Sequence, residues 1–183
     1  MKKRLRIEYF FVAAVMLLLF VGSIAATNFF FQKEMVAQQE TYLRRKNTLL
    51  TDQLPPSVFE KGQLTNQQQL LVTHALDDAE ERVTLLQKNG TVFFDSSQNE
   101  PLESHKKRPE IAAVLSGAAY GSALRKSKTL NKELLYVATP VLKSGEIVGI
   151  IRISEQTALF SKNIQSFRRY ICLLYTSDAA DDS

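Results

Sequence analysis

The 183-residue chain has no tryptophan, one cysteine, two histidines and only seven glycines. A single thiol, Cys172, excludes an internal disulfide framework. Of the two histidines, His74 and His105, the first is read as a helix-face residue without a second ligand, which argues against a metal centre. The glycines are scattered singly through turns, so no phosphate-cradling loop is present. No nucleophile, base and orienting acid recur together, and this leaves a hydrolase as the weakest reading.

Charge of one sign is scarce as well. The formal net charge of +4 is matched by Lys2, Lys3, Arg4 and Arg6 alone, so no basic stripe remains for nucleic acid. Just beyond those four residues lies the longest apolar run in the chain. Residues 9–31 carry no formal charge. At about 1.5 Å rise per residue they exceed the roughly 30 Å hydrocarbon core of a bilayer. The basic tail over 1–8 is expected to place the N-terminus in the cytoplasm and the rest of the chain outside it, with membrane lipid as its first partner. Cleavage after Ala25 is the competing reading, but it would leave Phe29, Phe30 and Phe31 exposed on a mature N-terminus.

At the other end, residues 172–182 read CLLYTSDAADD, which is identified as a translated frame of a common sequencing-library transposase adapter. Native sequence is then expected to stop near Ile171. Setting aside Asp178, Asp181 and Asp182 moves the formal charge from +4 to +7, and setting aside Cys172 leaves no cysteine.

Between these ends the periodicity alternates between helix and strand. Met35, Tyr42 and Leu49 recur every seven residues, and Val36, Leu43 and Leu50 repeat the spacing one position later. The pattern predicts a long helix reaching Leu54, stopped by Pro55-Pro56, with either its own domain or a second copy on the apolar seam. Thr65 and Gln68 form a capping box for a further helix whose face is read as Leu70, Leu71, His74, Ala75 and Leu76. Strands are expected over 83–87 and 91–95 around Lys88-Asn89-Gly90, then over 122–127, 133–140 and 146–154, with a turn at Lys143-Ser144-Gly145. Pro109 opens a short helix that ends at Gly117. The fold class is therefore α+β: a transmembrane helix continuing into a long helix, then a five-stranded antiparallel sheet with flanking helices, one domain over 32–154. Leu159, Phe160, Ile164 and Phe167 predict a helix over 155–171 that approaches a second membrane segment.

His105, Arg108 and Arg125 are the candidate site, because cationic donors beside a short helix suit a phosphate or carboxylate. The competing reading pairs Arg108 with Glu110 or another acid and leaves His105 on an exposed loop. Tyr136 and Arg152 lie on strands whose alternation alone does not say which faces a pocket.

Asp95-Ser96, Glu103-Ser104-His105 and Arg108-Pro109-Glu110, followed by Gly117, Arg125, residues 135–140 and residues 149–154, resemble the extracytoplasmic PAS-like (Cache-like) domain of phosphate-regulon-type sensor histidine kinases. The likeness is best over 82–154. It implies a homodimeric parent with a second membrane helix, a HAMP-type relay, a phosphoacceptor helix and an ATP-binding domain using magnesium. It also implies a cognate response regulator and input through transporter and adaptor proteins. This stretch would hold no cofactor and no catalytic core, since His74 and His105 both fall outside the cytoplasm. Chemoreceptors and diguanylate cyclases share such input domains, and a cleaved product would be a secreted or single-pass binding module.

Overall fold

The computed structural model describes residues 2–76, 81–97, 104–126 and 132–157. Helix α1 (Lys2–Gln53) leads into α2 (Pro56–Lys61) and α3 (Asn66–His74). Strands β1 (Arg82–Gln87) and β2 (Val92–Asp95), helix α4 (Pro109–Leu115), and strands β3 (Gly121–Lys126), β4 (Glu133–Lys143) and β5 (Glu146–Gln156) come after them. The chain divides into two units, Met1–Gln39 and Glu40–Ser183.

In the first unit, Phe10, Leu18 and Phe30 are 78%, 72% and 68% exposed, and the apolar side chains around them are exposed as well. Apolar surface of that extent on a helix suits a membrane span. Among the described residues this is the one helix long and apolar enough to cross a membrane.

The second unit is built on one antiparallel sheet of order β2-β1-β5-β4-β3. The turn between β4 and β5 is set by Ser144 (φ 52°) and Gly145 (φ 85°), the positive-φ pair that matches the twist of a two-residue hairpin. Pairing fixes which side chains share a face, since partners across neighbouring strands point the same way. Leu86 and Ile150 lie on one face with Ala138, where Ile111 and Val114 of α4 close over them. Gly121 sits beneath α4, and a β-carbon there would collide with the Glu110 carbonyl. Val83, Leu85, Ile151, Ile153, Val137 and Leu135 point to the opposite face. There Asn47 of α1 donates to the Val137 carbonyl at 2.9 Å, and the Phe59 ring of α2 lies over Gly149.

Several local expectations change. The prolines do stop α1, but Pro55 then serves as N-cap and Pro56 as first residue of α2, a helix not read from the sequence, because proline's fixed φ suits a first turn. In α3 the capping box forms, yet the buried residue is Val72 and Leu70 is 60% exposed, so the face assigned from the sequence is rotated. Strands β1, β4 and β5 run longer than expected, β2 begins one residue later and β3 one residue earlier, and Glu155 and Gln156 pair with Leu135 and Leu134 instead of beginning a helix. Ser127, the remainder of the helix expected over 155–171 and the tail over 172–183 lie outside the described residues. Of the two heptad series on α1, Leu43 and Leu50 are buried in the domain, whereas Tyr42 and Leu49 remain 41% and 60% exposed.

Candidate functional site

The sheet face under α4 carries charge in its middle. Asp95, Thr84, Arg152, Ala138 and Gly121 form one row across all five strands, and Arg82, Ser154, Tyr136 and Ala123 form the next. Burying so many polar groups is unfavourable unless they bind one another. They do so as a chain of bonds. Arg125 Nη2 and Arg152 Nη1 both donate to Glu110 Oε1, at 3.1 and 3.3 Å. Arg152 Nη2 donates to Thr84 Oγ1 at 3.0 Å, Thr84 Oγ1 donates to Asp95 Oδ2 at 2.9 Å, and Arg82 Nε donates to both Asp95 oxygens at 2.8 and 3.0 Å. The Ser97 amide and hydroxyl complete the Asp95 shell. Strand β4 joins through the Tyr136 ring, which has Arg125 stacked at 3.7 Å and Arg152 at 5.2 Å.

Glu110 reaches this cluster because Pro109 starts α4 and Ile111 and Val114 anchor its apolar face, which turns the next side chain into the sheet; Glu110 is fully buried. His105 is brought in by the β1–β2 turn. Its amide and the Ser104 hydroxyl donate to the Gly90 carbonyl, and Gly90, at φ 85°, leaves room for Lys106 within 3 Å of where a β-carbon would stand.

The electrostatics reflect burial and the cations. Burial, and then the charges of Arg152, Arg108 and Arg82 against the opposing pull of Asp95, push the His105 imidazole down to about 4, so it is neutral at pH 7. Burial would raise the Asp95 carboxyl, but the Arg82 hydrogen bond and charge and the Ser97 bonds outweigh it and hold it below 3.8. Burial pulls the Arg152 guanidinium down, and Glu110 pushes it back. Among the described residues, the bonded groups of the cluster are three arginines and two carboxylates. Glu110 Oε2, Arg125 Nε, Arg152 Nε, His105 Nδ1 and Ser154 Oγ are buried without a partner among the described residues. A surface of that kind is suited to holding a small oxyanion.

Of the three residues singled out from the sequence, Arg125 and His105 lie in the cluster. Arg108 is the N-cap of α4 with no side-chain cap bond, close enough to act on His105 by charge. Among the described residues no ion pair joins Arg108 to Glu110, which pairs instead with Arg125 and Arg152. His105 is 9% exposed and not on an open loop. His74 is exposed on α3. Sequence reading missed Arg152, Glu110, Thr84, Asp95 and Arg82 as site residues. One signal was available: a charge set among Ile150, Ile151 and Ile153 on a strand apolar on both faces has to be buried and paired. No group of three histidine, cysteine or acidic side chains among the described residues could hold a metal ion.

The family model for the single Cache-like domain matches residues 52–156, more than half of the chain and the whole of this sheet. The chain belongs to the single Cache-like family. No curated protein matches it. Among solved structures, this single Cache-like chain is similar to the sensor domain of the Vibrio cholerae histidine kinase DctB, at 19% identity and TM-score 0.55, over 69% of this chain and 52% of that one. It is similar also to an extracellular ligand-binding receptor from Desulfohalobium retbaense, at 10% identity and TM-score 0.53, over 72% of this chain and 25% of that one. The ligand-binding domain of the Campylobacter jejuni chemoreceptor Tlp3, in complex with L-valine, matches at 14% identity and TM-score 0.46, over 68% and 53%. The chain thus spans about half or less of each of these proteins, and what it shares with them is the fold.

Proposed function

We propose that this chain is the membrane-anchored sensory input region of a two-component sensor histidine kinase of the phosphate-regulon type, with its single Cache-like domain outside the cytoplasm. The supporting observation is how α1 grips the domain. Its polar side chains hold residues next in sequence to the buried cluster. Lys46 Nζ and Tyr42 Oη donate to Glu81, at 2.6 and 3.3 Å, and Glu81 precedes Arg82. Asn47 holds the carbonyl of Val137, between Tyr136 and Ala138. Arg44 stacks on Tyr120 at 5.0 Å, and Glu40 beside Tyr120 pushes its phenol pKa up; Tyr120 precedes Gly121, the close approach to α4. A rearrangement of the cluster would therefore move backbone that α1 holds at three places, and α1 is the helix that also carries the apolar segment.

In this reading the protein works as a homodimer, with Tyr42 and Leu49 of α1 facing the second copy, the N-terminus in the cytoplasm and a response regulator as the downstream partner. The fragment itself does not catalyse; ATP and magnesium belong to a kinase core beyond it, and transporter or adaptor proteins are candidate sources of the signal. Long-read sequencing of the source DNA across the Ile171 codon tests the assignment. A second apolar run followed by a phosphoacceptor helix and an ATP-binding domain is the expected result. A different cytoplasmic domain would overturn the kinase assignment, and a stop codon directly after Ile171 would point to a binding module without output.

A further inference from the structure

Glu110 has the geometry of a ligand. It is a fully buried carboxylate delivered by a short helix onto guanidinium groups from two separate strands, with one oxygen engaged by both Arg125 and Arg152 and the other idle. The Nε hydrogens of both arginines, which an incoming carboxylate could also use, have no acceptor. Among the described residues, the bonds of the cluster join three arginines to two carboxylates, Asp95 and Glu110. We propose that this arginine pair is a carboxylate-recognition site whose resident occupant is the chain's own Glu110, and that small external carboxylates bind it in competition with Glu110. An external carboxylate that takes Arg125 and Arg152 releases α4, held otherwise by Ile111 and Val114, from the sheet face that carries Gly121 and Tyr136. A planar carboxylate matches the flat guanidinium edges better than a tetrahedral phosphate does. The inference gives the sensory reading above its ligand class, but binding is measured without any output domain, so either can fail while the other stands.

The test is thermal unfolding of the full chain in detergent micelles at constant ionic strength, with acetate, chloride or inorganic phosphate as the varied anion. Glu110→Ala empties the occupant's place and leaves the apolar anchors of α4 in position. Acetate should raise its Tm saturably, and chloride should not. Wild type should need at least about tenfold more acetate, because a tethered carboxylate competes at a high effective concentration. Adding Arg152→Met to Glu110→Ala should abolish the response. A folded Glu110→Ala protein with no acetate-specific rise overturns the proposal, as does an equal rise in wild type, or a phosphate response equal to that of acetate. Should Glu110→Ala fold only when acetate is present, that rescue supports it. Should it not fold in either case, the Nε–Hε resonances of Arg125 and Arg152 in wild type decide: movement with acetate and not with chloride supports competition, and no movement overturns it.

Discussion

Glu110→Gln keeps the shape of the side chain and one oxygen acceptor while removing the carboxylate paired with Arg152, itself 2% exposed. Removing one member of a buried ion pair costs about 3–5 kcal/mol, because the other charge is left without compensation. Arg125 shares the loss, but its side chain is 24% exposed and water recovers part of its solvation. We therefore expect about 3 kcal/mol from Glu110→Gln, the lower end of that range. Arg152→Met should cost less, about 1–2 kcal/mol, since Glu110 keeps Arg125 and the methionine fills apolar space left by the guanidinium stem. The two changes share one bond, so the double variant should fall short of their sum by more than about 1 kcal/mol. Urea unfolding of the full chain in micelles, monitored by far-UV circular dichroism, measures all three. A loss below about 1 kcal/mol for Glu110→Gln, or strict additivity, would refute the view that the cluster is a coupled network.

The same contacts yield further outcomes. His105 is held at about 4 against an unfolded value of 6.5, so the fold binds its proton less readily; stability should be full above pH 6.5, fall as pH drops to 4 and level off below, by at most about 3 kcal/mol. His105→Gln should flatten the Tm–pH profile in that window, leaving the Asp95 loss that begins below 3.8, and an unchanged slope would refute the assignment. Gly149→Ala should cost about 2 kcal/mol, since the new methyl meets the Phe59 ring and an overfilled core has to shift; a Tm equal to that of wild type counts against that packing. With Cys172 replaced by Ser, single cysteines at Tyr42 or Leu49 should form dimers on oxidation in membranes, whereas cysteines at the buried Leu43 or Leu50 should not. Equal yields at all four positions would sink the proposed seam.

Local chemistry made most of the secondary structure legible. Gly90 and Gly145 announce turns because glycine readily adopts the positive φ that each position needs, and Thr65 with Gln68 announces a helix start because each satisfies the other's backbone. Pro55 and Pro56 announce only a stop, since the same proline that ends one helix can begin the next, and the packing of the next segment decides between the two. On α1 the two heptad series are equivalent in sequence. Only the domain's contact with Leu43 and Leu50 separates a buried register from an exposed one.

By itself, then, the sequence determined an uncharged apolar helix long enough for a bilayer, five strands, and where the chain turns, because these depend on residues close together in the chain. The tertiary structure alone decided the site. Glu110 meets Arg125 fifteen residues away and Arg152 forty-two residues away, and Arg152 meets Thr84 across sixty-eight. Whether Arg152 faces Glu110 or the opposite layer depends on strand register, where a slip of one residue reverses every side chain. No local pattern carries that information; it is settled by how two apolar faces, one under α4 and one under α1 and α2, are buried together.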